Sequence, residues 1–356
     1  MDEKKFQGLA QTLLRAYEGA LVSGMVYLGD ELGIYRTMKG QGPLTSASVA
    51  ANAGLHERFV REWLYTQVAS GIIDYHGNGL FELSPEAGIL LGEPNDIRTL
   101  AGLFDSFPQR TALISELPKS FRTGIGVSWA DADRGGTPAR VQWMERFLRP
   151  WYQQVLVPQV LPKLDGVVTK LDTGAKVADI GCGSGVALVT MAMAFPKSTF
   201  YGWDIAALAL DRGRENALRA GASNVTFANV RDGGIPEDGT FDLVTTFDCV
   251  HDMTHPDIVV RAIRESLRAD GTWLIVDPSG RGSFEDNLEH PMAIFGYAAS
   301  VTGCLQSGMS EVGGAGYGCF GLPEPAMREL AESVGFTRFR RLDIPHPLNN
   351  FYEARP

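Results

Sequence analysis

The chain has 356 residues, 44% hydrophobic and 21% charged, which excludes a largely disordered or fibrous protein and suggests two globular domains. A net charge of −10 argues against nucleic acid as a partner. No apolar run approaches the roughly 18 residues that span a bilayer, and the charged start MDEKKFQGLA lacks the apolar core of a signal peptide, so a cytoplasmic protein with no membrane partner is expected.

Residues 3–37 read as one or two long helices. Leu13, Leu14, Tyr17, Leu21, Met25 and Leu28 recur at three- and four-residue spacing and make one apolar face. Thr45 or Ser46 can cap a short helix that Gly54 ends, and a second helix runs from about His56 to Ser70. Strands over Ile72–Tyr75 and Leu80–Leu83 follow, joined by Gly77, Asn78 and Gly79. Helix, turn, helix, hairpin is the outline of a winged helix. Residues 1–100 carry 8 Lys and Arg against 12 Asp and Glu, and Arg58 and Arg61 sit beside Glu57 and Glu62. A major-groove helix needs a basic footprint, so a dimerisation and substrate-cover module is expected over residues 1–100 rather than a DNA reader.

Residues 101–165 read as a helical linker. Its stretch FRTGIGVSWADADRGGTPAR reads as a loop, and the helical pattern after it is broken near Pro150, Pro158 and Pro162. From residue 166 strands and helices alternate. Strands are expected over Lys176–Ile180, Thr199–Trp203, Val225–Val230, Leu243–Phe247 and Thr272–Val276, with helices around Ala187–Ala194, Ala206–Ala220 and Pro256–Leu267. This is an α/β pattern with a parallel sheet covered on both faces. An insertion over about 279–322 interrupts it. There, residues 303–321 hold seven glycines in 19 positions and read as a mobile lid. A helix over Pro323–Val334 and strands over Arg338–Asp343 and Asn349–Glu353 complete the third segment, residues 166–356.

The strongest chemical signal is VADIGCGSG, Val177 to Gly185. A buried strand ends at Asp179, and Gly181, Gly183 and Gly185 let the backbone approach a ligand where a helix N-terminus offers free N–H groups. The next strand ends at Asp204, 19 residues beyond Gly185, where a carboxylate can hold both hydroxyls of a ribose. The dinucleotide fingerprint needs a third glycine where this chain has Val186, and an anionic pyrophosphate is poorly matched to Asp179. A nucleoside bearing a cationic amine and a sulfonium suits the charge, which favours S-adenosylmethionine over NAD.

With these residues in place, the sequence resembles the Rossmann-like S-adenosylmethionine-dependent methyltransferases. DIGCGSG, FYGWD, NVTFANVRD, FDLVTTFDCVHDM and GTWLIVDP stand in the family's order, and the match runs on to the ending LNNFYEARP. The winged helix before such a domain resembles the two-domain small-molecule methyltransferases, including natural-product O-methyltransferases of secondary metabolism. The resemblance implies a seven-stranded sheet with the last strand antiparallel. It places Gly181, Cys182 and Gly183 against the methionine part, Asp204 and Ile205 at the ribose, Asn229, Val230 and Asp232 along the adenine, and Phe247 beside the cofactor, with Asp179 and Gly185 completing the lining.

Cys249-Val250-His251-Asp252-Met253 follows the fourth strand of the sheet, where ligands of such sheets bind. Histidine's ordinary pKa near 6.5 suits a general base. His251 resembles the histidine of plant-type O-methyltransferases that removes the acceptor's proton. This chain departs from them in having Met253 in place of tryptophan and His255-Pro256 in place of an acidic pair. The alternative is a histidine that caps the next helix or packs structurally. His290 is a weaker candidate, and Asp248, Asp252 and Asp277 are not expected to hold a metal. The cysteines Cys182, Cys249, Cys304 and Cys319 are far apart, with no CxxC pair and no zinc-type cluster, so no metal and no disulfide are expected. Trp143, Phe147, Trp151, Tyr152, Met253, Phe295, Tyr317 and Phe320 suggest a small apolar or aromatic methyl acceptor. The reading is a dimeric methyltransferase favouring O-methylation, with C- or N-methylation open. The alternatives are a winged-helix regulator that senses S-adenosylmethionine without catalysis and an NAD-dependent oxidoreductase.

Overall fold

The computed structural model describes residues 1–129 and 139–356. Of the loop expected over 121–140, residues 130–138 lie outside the described residues. The chain forms two compact units, Met1–Thr111 with Arg146–Pro150, and Ala112–Glu145 with Trp151–Pro356.

In the first unit, helix α1 (Glu3–Glu31) starts where the Asp2 side chain accepts the Lys5 N–H, and α2 (Ile34–Met38) follows a glycine turn. Strand β1 (Leu44–Thr45) has no counterpart in the sequence reading, because two residues show no periodicity. The Thr45 hydroxyl caps α3 (Ser46–Ala53), Gly54 ends it, and α4 (Glu57–Ala69) comes next. Strands β2 (Asp74–Tyr75) and β3 (Leu80–Glu82) pair antiparallel, and the small sheet has the order β1-β3-β2. Helices α5 (Pro85–Gly92) and α6 (Ala101–Phe104) follow. The core gathers Val26, Ile34, Tyr35, Met38, Val49, Leu64 and Phe81. Two of its aromatic side chains place their polar atoms on partners: the Tyr35 hydroxyl donates to Gln67 Oε1 at 2.7 Å, and Trp63 Nε1 donates to the Met25 carbonyl at 2.8 Å. Buried Asp30 is held by Arg36 at 3.1 Å and Arg146 at 2.5 Å.

The apolar face of α1 divides into two parts. Val26 packs in the core, but Leu13, Leu14, Tyr17 and Leu21 are 71%, 62%, 68% and 54% exposed. Among the described residues nothing covers about two to three turns of that face.

Helices α7 (Phe107–Ile114), α8 (Leu117–Thr123) and α9 (Ala139–Trp151) lead on. The expected break at Pro150 does not occur, since Pro150 lies inside α9. Beyond Trp151 the backbone takes π spacing over Tyr152–Val160, with Pro158 inside, and then one 3₁₀ turn over Leu161–Lys163. Proline removes an N–H and crowds the carbonyl four residues back, and a wider turn relieves both without leaving the helix.

In the second unit α10 (Val167–Thr173) precedes β4 (Lys176–Ile180), α11 (Val186–Ala194), β5 (Thr199–Asp204), α12 (Ala207–Ala220), β6 (Val225–Asn229), β7 (Phe241–Phe247), α13 (Pro256–Ser266) and β8 (Leu267–Pro278). Short helices α14 (Phe284–Leu288), α15 (Ala293–Ala299) and α16 (Leu305–Gly308) come next, then α17 (Glu324–Ser333), β9 (Arg338–Arg341) and β10 (Asn349–Arg355). The seven strands lie in the order β6-β5-β4-β7-β8-β10-β9, and β10 alone runs antiparallel to its neighbours. The chain therefore reverses direction across the sheet between β4 and β7, a topological switch point where α/β folds bind ligands. Successive residues of β4 and β7 are buried, so both faces are packed, and on one of them Ala178, Val244, Trp273, Ile275 and Tyr352 join Val260, Ile263 and Met327 in one core. Among the described residues, no helix is long and apolar enough to cross a membrane.

Candidate active site

The loop after β4 is built by its glycines. Gly181 has φ 72° and lies so close to Cys249 that an added Cβ would stand 2.8 Å from that side chain. Gly183 has φ 52°, and a Cβ there would meet nothing within 4 Å. One glycine thus packs against the chain while the other faces open space at the helix start. The Gly181 and Cys182 N–H groups donate to the Trp203 carbonyl at 2.8 and 3.1 Å, which ties the loop to the end of β5.

Asp204 completes this corner. Its Oδ2 accepts the Gly183 N–H and its Oδ1 accepts the Ala206 N–H, both at 2.8 Å. Asp204 is half-buried at the end of β5. Asn229 donates from Nδ2 to the Ile205 carbonyl at 3.2 Å and accepts the Arg231 N–H at 3.0 Å. Ile205, Asn229 and Val230 therefore share one corner with Asp204, whereas Asp232 is exposed beyond it. On β4, Asp179 is 1% exposed and accepts the Thr245 hydroxyl at 2.8 Å. Burial, aided by the nearby charge of Asp204, pushes its pKa up to about 7. Burial likewise pushes the Cys182 thiol up. Phe247 ends β7 edge-on to Tyr152, with ring centres 5.2 Å apart.

The second group gathers beyond the ends of β7 and β8. Phe247 pairs with Val276 across the sheet, so the residues after them are neighbours. Asp248 leaves β7 with φ 52°, and a 3₁₀ turn over Val250–Asp252 delivers His251 to Asp277. His251 Nδ1 lies 2.9 Å from Asp277 Oδ1; the two residues are 3% and 1% exposed. In the neutral imidazole the proton shared with Asp277 belongs on Nδ1, which leaves the lone pair on Nε2. Burial opposes the imidazolium, but the charge of Asp277 and contact with Cys304 outweigh it and raise His251 well above the usual histidine value. Burial and Asp277 push Asp248 up to about 6, and burial pushes Asp252 up to about 7 against the pull of His251 and of Trp129. Trp129 Nε1 donates to Asp252 Oδ2 at 2.7 Å.

The glycine-rich segment is docked on this turn. The Ala315 N–H donates to the Thr254 carbonyl at 2.9 Å, and the Thr254 hydroxyl donates to the Ser307 carbonyl at 3.2 Å. The segment doubles back, so Cys304 and Cys319 meet with their sulfurs 3.0 Å apart. This corrects the expectation that the cysteines stay apart. Ligand atoms of His251, Cys304 and Cys319 all lie within 4.8 Å of one another, the one such group among the described residues. No sequence pattern announces it, because five glycines leave the path between the two cysteines open. His290 stands outside this group. It takes the Met292 N–H on Nδ1 and sits 3.0 Å from the Ser279 hydroxyl through Nε2. Of the aromatic and apolar residues singled out for the acceptor, Met253 and Tyr317 pack on the sheet core, and Trp151 packs on Phe351.

A family model described as a methyltransferase domain matches residues 171–304, and one described as an Rv2258c-like winged HTH domain matches residues 20–92. The two matched regions are those of a winged-helix domain followed by a methyltransferase domain. No curated protein matches the chain in sequence. Solved structures match it over nearly their whole length. A provisionally assigned O-methyltransferase of Nostoc punctiforme has a TM-score of 0.71 at 18% identity, covering 98% of each chain. Human N-acetylserotonin methyltransferase in complex with SAM has a TM-score of 0.67 at 17% identity, covering 97% of each. The mitomycin 7-O-methyltransferase MmcR has a TM-score of 0.68 at 19% identity, covering 99% of each.

Proposed function

We propose that the protein moves a methyl group from S-adenosylmethionine to a hydroxyl of a small, apolar or aromatic molecule. The observation that carries this reading is the corner where Gly183 and Asp204 meet: open space at the glycine, and a half-buried carboxylate at the end of β5 oriented by two backbone N–H groups. Asp179, raised to about 7 by burial, is a group that a nearby cation would return to its charged form. In this reading Gly181, Cys182, Gly183 and Gly185 border the methionine part, Asp204 and Ile205 the ribose, Asn229, Val230 and Asp232 the adenine, and Phe247 flanks the donor. The human enzyme with SAM supports the assignment by its fold.

S-adenosylmethionine supplies an electrophilic methyl carbon on sulfur, and the protein's part is alignment and proton removal. His251 Nε2 takes the proton of the acceptor hydroxyl as the oxygen attacks the methyl carbon. Asp277 on Nδ1 stabilises the resulting imidazolium. The products are a methyl ether and S-adenosylhomocysteine. Carbon or nitrogen acceptors that need no base remain compatible with the same alignment.

The exposed row Leu13, Leu14, Tyr17 and Leu21 supports a homodimer that buries this face. A DNA-reading regulator is disfavoured: on α4, Arg58 pairs with Glu62 at 2.5 Å and Arg61 with Glu57 at 3.4 Å, so neither charge is free for phosphate. A crystal structure with S-adenosylhomocysteine tests the assignment. The ribose hydroxyls are expected on Asp204 and the adenine beside Asn229; a ligand seated elsewhere overturns it.

A further inference from the structure

We propose that Cys304 and Cys319 form an oxidisable dithiol beside His251, a modification site where a hydroperoxide joins the two sulfurs into one disulfide. Three observations carry this. The sulfurs are 3.0 Å apart although 15 residues separate them. The backbone between them is rich in glycine and includes Gly313, Gly316 and Gly318 at positive φ, so it can absorb the small approach that a bond requires. Cys304 also contacts His251, whose other nitrogen is held by Asp277. Thiol, imidazole and carboxylate stand in the order that activates a cysteine nucleophile.

The arrangement answers a problem that burial creates. Cys319 is 8% exposed, and hydrogen bonding to Cys319 together with burial pushes the Cys304 thiol up, away from the reactive thiolate. His251 Nε2 can accept the Cys304 proton, and Asp277 holds the imidazolium formed. The Cys304 thiolate then attacks the terminal oxygen of the hydroperoxide. The O–O bond breaks, and the leaving oxygen takes the proton back from His251, giving a sulfenic acid and water (or an alcohol). The Cys319 thiol attacks the sulfenic sulfur, its proton leaves with the hydroxyl as a second water, and the disulfide forms. Two thiols lose two protons and two electrons, and the hydroperoxide accepts them.

The same three side chains suggest a metal, but the spacing disfavours it. A tetrahedral zinc with both sulfurs at about 2.3 Å would hold them about 3.8 Å apart, wider than the contact seen here. Oxidation would instead fix the glycine-rich segment covalently over the turn that carries His251. That redox state is independent of what the protein methylates.

The test uses the whole, ligand-free protein, reduced and then exposed to stoichiometric hydrogen peroxide. The intact mass is expected to fall by about 2 Da, and a digest to yield one linked peptide pair joining Cys304 to Cys319, reversed by a phosphine reductant. Cys319→Ser should stop at a sulfenic acid on Cys304 that dimedone traps. His251→Asn should slow the reaction by at least about tenfold without changing its product. Hydrogen exchange over residues 305–318 should slow on oxidation in the wild type and not in Cys319→Ser. The proposal is overturned if both thiols stay alkylatable after peroxide, if the linked pair involves Cys182 or Cys249, if His251→Asn reacts at the wild-type rate, or if the purified protein carries one zinc that both thiols ligate.

Discussion

Replacing Asp277 by asparagine keeps the shape of the side chain and removes its charge. In the wild type Asp277 lies 2.9 Å from His251 Nδ1, and both groups are buried, so water does little to screen them. A hydrogen bond to a charged group is worth about 1.5–3 kcal/mol. At 1.36 kcal/mol per unit, that corresponds to roughly one to two units in the histidine pKa. With the charge gone, burial is the largest influence left on His251, and it acts downward. The midpoint should therefore move from well above 6.5 in the wild type to near or below 6.5 in Asp277→Asn. The assay is NMR titration of the imidazole carbons, with the resonance of His251 identified by its loss in His251→Asn among the six histidines of the chain. The sign also governs stability. A histidine whose folded pKa is raised adds stability that is fully present below its unfolded value of about 6.5 and is lost as pH rises through the folded value. Asp277→Asn should thus be more destabilising near pH 6 than near pH 9. A wild-type midpoint below 6.5, or one unmoved by the substitution, would refute the reasoning.

Other predictions rest on separate parts of the structure. His251→Asn should lower turnover of a hydroxyl acceptor by about 10²–10⁴-fold while leaving S-adenosylhomocysteine affinity nearly unchanged; a flat rate in a methyl-transfer assay would leave alignment as the only contribution. Asp179 is raised from 3.8 to about 7, so folding disfavours its charge: stability from this group is lost as pH rises from about 4 to 7. Asp179→Asn should then raise the melting temperature of the ligand-free protein near pH 8 yet weaken S-adenosylmethionine binding, and a lowered melting temperature there would contradict this. Leu14→Asp together with Tyr17→Asp should turn a dimer into a soluble monomer by sedimentation analysis; a dimer that persists places the interface elsewhere. Asp30→Ala leaves Arg146 with Asp105 as its remaining partner and should cost about 1–3 kcal/mol in chemical denaturation, with a loss under about 0.5 kcal/mol refuting the network.

Much of the second unit was legible because fully buried parallel strands read as short apolar runs bounded by glycine turns. Lys176–Ile180 was placed to the residue, and β5 and β6 to within one residue at one end. β8, before the insertion, was underestimated, and β9, after it, was overestimated by two residues. Leu267–Gly271 of β8 includes exposed polar positions that read as a turn. β1 was missed because two residues give no pattern. In the site, the glycine loop and Asp204 were readable since each ends a strand beside the other. The pairing of His251 with Asp277 was not drawn from sequence, although both follow strands that neighbour in the sheet, and the register of Phe247 with Val276 brings them together. The meeting of Cys304 and Cys319 was out of reach, because glycine-rich backbone carries no periodicity from which to infer where it folds back. The register change after Trp151 was hidden for a related reason: proline signals a disturbed helix but not whether the chain ends it or widens it.

The central claim is that the corner formed by Gly183 and Asp204 binds S-adenosylmethionine. Calorimetric titration with S-adenosylhomocysteine and with NAD, on the wild type and on Asp204→Ala, tests it most directly. The wild type should bind S-adenosylhomocysteine at one site per chain and show no heat with NAD. Asp204→Ala removes the acceptor of two ribose hydroxyls, each hydrogen bond worth about 1.5–3 kcal/mol, so affinity should fall by at least about a hundredfold at 1.4 kcal/mol per tenfold. Equal affinity in the variant, or saturable binding of NAD by the wild type, would contradict the account.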